Sequence, residues 1–368
     1  MTTFGVNAFG VGTGAARFES MARLAAQAEE IGCAAVWTSE LYSRSATIPM
    51  AAIAAGTSRI AIGSNIAYGV GRSPLIWAAE ARDLDELSGG RIILGLGNGT
   101  PKMMEAWHGV SGEAPAARMA ELVTVLRALW HLHEGPVHHD GRFYHVHLTP
   151  TSDVTEPVRP EIPIWIAGVN RLMLRTAGQH ADGLVGHPMY TADYVRGPVA
   201  DEIAAGAALA QRDPGDVTIM GIRMCAIDDD EETARRQAAY AIGQYAASRV
   251  YDRLFALHGW SAEQDRIRAA ARDRDDAAVI AAVTDDMIDT IAIACRPGDF
   301  ADAVARIPDG FDHLDLIAPP WGLTPEQTRA TNLHILDGLR THFATAAPSL
   351  VETELPMAPS PWFRHVRR

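Results

Sequence analysis

Asn7, Glu40, Asn65, Asn98, the run Gly168-Val169-Asn170 and His187 each stand where an apolar stretch gives way to small or polar residues. Amides and bare backbone dominate this set, with one carboxylate among them. Metal-assisted hydrolysis needs several anionic or imidazole ligands converging, and acyl transfer needs a nucleophile with its base, such as the serine of a G-x-S-x-G turn. Neither arrangement is present in the set. It suits a large planar cofactor that brings its own chemistry and is held by amide hydrogen bonds between neutral walls. Glu40 could accept a proton or orient a substrate; its ordinary use would be an ion pair with Arg44 or Arg72. His187 and His108 are the histidines to test for chemistry.

No G-K-[ST] follows Gly97-Asn98-Gly99, so this is not a Walker-type loop, but its glycines would let the chain pass close beneath a flat ring. The segment AGVNRLM is the better phosphate cradle. Gly168 and the free amides of a helix opening near Asn170 can face an anion, and Arg171 adds charge. The ordinary reading of the same residues is a plain strand-to-helix loop. His131, His133, His138, His139, His145 and His147 are numerous enough to suggest a metal, yet no acid pattern supports them, and they read as surface residues. No metal site is expected. Tyr42, Trp107, Tyr245 or Trp260 would wall a substrate pocket or belong to the core.

The elements that must position these residues follow a simple grammar. A buried strand over 60–66, an amphipathic helix over 74–87 and a second strand over 92–96 form a strand–helix–strand unit of a parallel sheet. Such sheets carry their chemistry at the C-terminal ends of the strands. Strands begin near residues 4, 34, 60, 92, 162, 181, 217 and 314, with helices between them over 16–30, 49–55, 115–132, 171–178 and 190–209 and a closing helix over 325–343. The fold class is α/β, a (β/α)8 TIM-like barrel. A doubly wound sheet would use six of these strands, and its glycine fingerprint would have to be GVGTGAA at Gly10 with Glu40 as the acid, a weaker match. A D-G turn within PVHHDGRFYHVH marks a surface hairpin at 135–150. The stretch 231–291 shows helix but no strand and reads as a helical insertion toward the C-terminal part. One domain over 1–345 is expected, followed by an extended tail over 346–368.

Composition narrows the function. Of 368 residues, 48% are hydrophobic and 21% charged, which fits a globular chain with a substantial core. A formal charge of -13 argues against nucleic-acid and anionic-membrane partners while leaving room for a local basic pocket. Cys33, Cys225 and Cys295 lie far apart with no C-x-x-C spacing, so zinc and iron–sulfur sites are not expected, and Cys33 and Cys295 read as inert core thiols. No run reaches 18 apolar residues and MTTFGVNAFG lacks a signal-peptide pattern, so a cytoplasmic protein is expected.

The ordered pieces AAVWTSE, TSRIAIGSNI, SPLIWAAEARDLDELSGGRIILGLGNG, ARMAELVTVLRALW and IPIWIAGVNRLMLRTAGQHADGLVGHP, with DLIAPPWG as a last strand, resemble the bacterial-luciferase-like superfamily. That resemblance implies a TIM-like barrel using reduced FMN or the deazaflavin F420. It implies a non-proline cis peptide at Asn65–Ile66 supporting the central ring, Asn98 near the ring, and Gly168, Val169 and Asn170 at the cofactor phosphate. Asn7 and Gly99 complete the expected cofactor set. Members often carry an acid–histidine pair after strand two; here Glu40 matches the acid and Leu41 stands in the histidine's place, leaving Glu40 and His187 as the catalytic candidates. GHPMYTADYVRGPV looks closer to the F420-using branch related to methylene-tetrahydromethanopterin reductase. The implied function is F420-dependent hydride transfer to or from a small organic substrate. A reduced-FMN monooxygenase is the alternative, and a cofactor-less barrel homologue the third reading. The implied partners are a small-molecule substrate, a flavin or F420 reductase supplying reduced cofactor, and a second copy in a homodimer.

Overall fold

Short runs of Val, Ile, Ala and Trp, broken by glycine and polar residues, form the strands in the computed structural model, which describes residues 2–346. In chain order they are β1 (Thr3–Asn7), β2 (Ala35–Thr38), β3 (Ala61–Ser64), β4 (Ala67–Tyr68), β5 (Ile92–Gly97), β6 (Val137–Asp140), β7 (His145–Leu148), β8 (Ile164–Ala167), β9 (Gly183–Val185), β10 (Thr218–Ile227), β11 (Ala292–Cys295) and β12 (His313–Ile317). Strands β1, β2, β3, β5, β8, β9, β10 and β12 pair in parallel, each with the next, and β12 closes on β1. The result is a closed eight-stranded barrel wrapped by helices, the (β/α)8 architecture expected.

Helix boundaries follow local chemistry. The helix Pro74–Ser88 opens on Ser73, whose side chain accepts the Ile76 N–H, starts with proline, and stops at Gly89 in the left-handed conformation. Inside the barrel, indole rings fill the space that neighbouring glycines leave. Trp37 lies beside Gly63, where an added Cβ would come within 2.1 Å of the ring, and Trp165 lies beside Gly183, where it would come within 2.7 Å. The two indoles meet at 5.1 Å between ring centroids. A methyl group at either glycine would overpack this layer.

The structure departs from the sequence reading in four places. The strand expected over 60–66 ends at Ser64; the Asn65–Ile66 peptide is cis, and the chain resumes as β4 against β5. Strand β11 was not anticipated, because Ala292–Cys295 follows the helix Asp285–Ile291 with no turn residue between them. It pairs with the C-terminal end of β10, and Cys295 is consequently half-buried rather than a core thiol, whereas Cys33 is buried as expected. The helix expected over 190–209 is broken by a widened turn, Val195–Val199, containing Pro198, which has no N–H to continue the ladder. The closing helix runs Pro325–Ala346, so Ala346 is helical and the rest of the expected tail lies outside the described residues. The stretch 231–291 is helical throughout its elements, and β6 and β7 form the antiparallel hairpin. Among the described residues, no helix is long and apolar enough to cross a membrane, and no group of three or more His, Cys, Asp or Glu could hold a metal ion.

Candidate functional site

The C-terminal ends of β12, β1, β2 and β3 are neighbours, and register brings their polar residues together. Asn7 Nδ2 donates to Asp315 Oδ2 and to Asn65 Oδ1, both at 3.0 Å. Asn65 Nδ2 donates to the same Asp315 oxygen at 2.6 Å. Ser39 Oγ donates to Asn65 Oδ1 at 2.9 Å and lies 3.1 Å from the Asn65 carbonyl oxygen. Asp315 is fully buried, and burial pushes its carboxyl up to about 7 against the pull of the Asn7 and Asn65 hydrogen bonds.

Glu40 lies just beyond β2, and its backbone N–H donates to the Ile66 carbonyl at 2.8 Å. Its carboxylate accepts the Tyr68 N–H at 2.8 Å and pairs with Arg72 at 3.0 Å, so the ion pair is with Arg72 and not Arg44. Arg72 also pairs with Glu80 and lies 4.3 Å over the Trp77 ring. Glu40 therefore ties the segment following the cis peptide to the barrel. Asn98, at the end of β5, is buried; its Nδ2 donates to the Pro115 carbonyl, while its Oδ1 has no partner among the described residues. Gly99 follows in the left-handed region at φ 67. Tyr42 and Trp107 are exposed and meet edge to face at 5.5 Å, with Tyr68 behind them. His108 lies against Tyr68, with ring centroids 5.0 Å apart.

The opposite side is built differently. His187, beyond β9, accepts the Met189 N–H at Nδ1 and lies 2.8 Å from the Tyr251 hydroxyl at Nε2. Those partners put the ring proton on Nε2, which donates to Tyr251. Burial depresses the imidazole to about 3, so it is neutral at physiological pH. Tyr245 stands edge-on to His187 at 4.6 Å and to Trp321 at 4.5 Å. Trp260 is not part of this wall: it is buried, stacked on His258, and its indole N–H donates to Asp286.

The Gly168-Val169-Asn170 loop leads into the helix Arg171–His180. Asn170 Oδ1 accepts the Met173 N–H at 3.0 Å, and the Gly168 carbonyl accepts the Tyr190 hydroxyl. A helix cannot satisfy its own first amides, so those of Arg171 and Leu172 remain for another acceptor. Beside them Arg171, Arg175 and Arg253 all converge on Glu202, at 3.0, 2.6 and 3.7 Å. Although burial opposes it, the Arg175 hydrogen bond and the charges of Arg171 and Arg175 hold the Glu202 carboxyl below its usual range. Three guanidiniums against one carboxylate leave local positive charge on a chain of net charge -13.

Asp315, Tyr251 and Arg253 are absent from the residues read from the sequence. Ser39 carries the same signal as Glu40, lying just past β2, whereas Asp315 is the central residue of β12 and carries no such mark. Tyr251 and Arg253 lie within the helical stretch, where nothing marks which residues reach the barrel. The assembled residues fit a flavin-type group: amides beneath a flat ring, an orphaned acceptor at Asn98 Oδ1, free amides and guanidiniums for an anionic tail, and aromatic walls for a substrate.

Comparison with known proteins places the chain in a family. The luciferase-like monooxygenase family matches residues 1–313. An uncharacterized protein of Mycobacterium tuberculosis is 30% identical over 293 residues, covering 77% of this chain and 84% of its own. The 5,10-methylenetetrahydromethanopterin reductase of Methanopyrus kandleri is 27% identical over 330 residues, 85% of this chain and 92% of the reductase. The solved coenzyme F420 dependent tetrahydromethanopterin reductase from that organism superposes with a TM-score of 0.71 at 23% identity, covering 93% of this chain and 99% of the other. A monooxygenase from Streptomyces bottropensis superposes with a TM-score of 0.63 at 22% identity, covering 93% and 100%. Barrel and family match converge: the chain belongs to the luciferase-like monooxygenase family.

Proposed function

We propose that this protein transfers a hydride between coenzyme F420 and a small organic substrate. The observation that carries the choice of F420 is the cluster of Arg171, Arg175 and Arg253 around the single Glu202. FMN brings one phosphate to such a site; F420 continues beyond its phosphate into carboxylates, which an extended guanidinium cluster would hold. The 27% identity to a methylenetetrahydromethanopterin reductase across 92% of that protein supports the same choice.

When bound, the deazaflavin supplies the carbon that gives or takes the hydride. The chain's own residues bind, orient and exclude water. The Arg171 and Leu172 amides and the arginines hold the tail, and Gly168, Val169 and Asn170 shape the turn around its phosphate. Asn7, Asn65, Ile66, Asn98 and Gly99 would form the surface that holds the ring. Glu40, committed to Arg72 and to the Tyr68 N–H, keeps that surface in place. His187 is neutral and donates to Tyr251, which leaves the phenol's own hydrogen to polarise a substrate oxygen.

Titrating the purified chain with F420 and with FMN, oxidised and reduced, tests this reading. F420 should bind at least about tenfold tighter than FMN, more weakly as salt rises, and reduced F420 should cause no oxygen uptake. Preferential binding of reduced FMN with oxygen consumption would make the protein a monooxygenase. Binding of neither would leave a barrel without a cofactor.

A further inference from the structure

We propose that Asp315 is a positioning residue for the cofactor ring: through Asn7 and Asn65 its carboxyl fixes the orientation of the amides on the β12–β1–β2–β3 side of the barrel mouth. The proposal rests on the flavin-or-deazaflavin reading of this mouth. A side-chain amide can turn over and exchange its donor and acceptor ends, whereas an ionised carboxylate only accepts. Because Asp315 Oδ2 takes both Asn7 Nδ2 and Asn65 Nδ2, the nitrogen ends of the two amides must face it. Their oxygens then have fixed tasks. Asn65 Oδ1 receives Asn7 and Ser39, and Asn7 Oδ1 receives the Phe9 N–H at 2.8 Å. One carboxyl on the last strand thus sets the hydrogen-bonding pattern at the ends of the first and third.

The other oxygen, Oδ1, is buried with no partner among the described residues. A proton can therefore sit on Oδ1 while Oδ2 goes on accepting both amides, and the network survives a change in charge. Burial, which pushes the carboxyl up to about 7, places that change near neutral pH. The groups around it do not compensate. His313, on the same strand, is held neutral at about 3 by burial and is engaged by Thr3 and by the Trp37 N–H. The Cys33 and Cys225 thiols are pushed up by burial and, less, by Asp315 itself. Arg223 of β10 donates to the Thr290 carbonyl, and among the described residues the amides of Asn7 and Asn65 are what reach the carboxyl from β1 and the end of β3.

Linkage gives this carboxyl a sign. Its folded value lies above the ordinary carboxylate value of about 4, so the native state holds the proton more tightly. The stability it contributes is present below about pH 4 and is lost as pH rises through about 7.

Asp315→Asn and Asp315→Leu test the proposal in the full chain. The asparagine keeps one acceptor for both amides and cannot ionise; the leucine keeps the volume and removes the acceptor. Asp315→Asn should bind whichever of F420 or FMN the wild type binds within about threefold, and Asp315→Leu at least about tenfold more weakly. Between pH 6 and pH 8 the visible spectrum of the bound cofactor should change differently with pH in the wild type and in Asp315→Asn. Equal affinity in Asp315→Leu, or the same spectral shift in Asp315→Asn, overturns the proposal. A third measurement needs no cofactor and does not depend on Asp315→Leu folding. From pH 5 to pH 8 the Tm of the wild type should fall relative to Asp315→Asn by roughly 5 °C. If the wild type binds neither cofactor, the functional reading fails by itself, and a Tm difference flat with pH would separately overturn the role of Asp315.

Discussion

On the β12–β1–β2–β3 side of the barrel mouth, Asp315, Asn7, Ser39 and Asn65 are joined by hydrogen bonds of 2.6–3.0 Å, and each comes from a strand or the residue just after it. On the β8–β9 side, His187 and the Arg171 helix are strand-end features too, but Tyr245, Tyr251 and Arg253 reach them from the helical stretch after β10. Sheet register fixes the first set, since neighbouring parallel strands leave little freedom at their ends. The second set depends on how a run of helices is tethered. The first half should therefore answer mutation mainly through stability and cofactor orientation, the second through ligand affinity and turnover.

The largest expected effect is on the register-fixed side. Glu40→Ala removes the acceptor of the Tyr68 N–H and leaves Arg72, mostly buried, with Glu80 and the Trp77 ring. Breaking one partner out of a largely buried pair should lower unfolding free energy by about 2–3 kcal/mol in denaturant titration. Glu40→Gln should lose less, because an amide oxygen can still take the Tyr68 N–H. A stable Glu40→Ala protein with abolished turnover would reverse the comparison and make Glu40 a group of the chemistry.

The same division explains what the sequence reveals. Asn7, Asn65, Asn98 and His187 were legible as strand-end residues because alternation and helix spacing locate the end of a strand to within a residue or two. The histidines read as surface residues divide: His138, His145 and His147 are exposed, His145 and His147 turning to Asp140, whereas His139 is half-buried against Glu121 and His131 and His133 are half-buried at the preceding helix end. Asp315 was passed over because the apolar residues around it made HLDLIA read as plain core strand. Strand β11 was hidden because, of Ala292, Ile293, Ala294 and Cys295, only Ile293 favours a strand, and the run follows a helix without a break. Tyr251 and Arg253 were illegible in principle, since no periodicity tells which of five helices leans over the barrel. Pairing between residues 64 positions apart, as for His187 and Tyr251, is a property of the packed molecule.

A smaller effect is expected at Tyr251. Phenylalanine keeps the ring against His187 and Tyr245 but leaves His187 Nε2–H without its acceptor. Stability should fall by about 1 kcal/mol, and F420 affinity should stay within about twofold. Turnover with any accepted substrate should fall about tenfold, equivalent to about 1.4 kcal/mol of barrel-mouth polarisation. Loss of cofactor affinity in place of turnover would move Tyr251 to the cofactor side of the mouth.

The smallest change in stability should come from Arg253→Ala. Arg253 is half exposed and stands 3.7 Å from Glu202, which Arg171 and Arg175 still hold after its removal. A half-exposed arginine 3.7 Å from a carboxylate that keeps two nearer partners contributes about 0–1 kcal/mol, so Tm should barely move. Binding should move instead. If the cluster holds an anionic tail, losing one guanidinium should weaken F420 about threefold in low salt and flatten the decline of affinity with ionic strength, both read by fluorescence titration. FMN, with its single phosphate nearer the helix end, should be affected less. An equal loss for both cofactors would place Arg253 at the shared phosphate, and the cluster would then no longer distinguish one cofactor from the other.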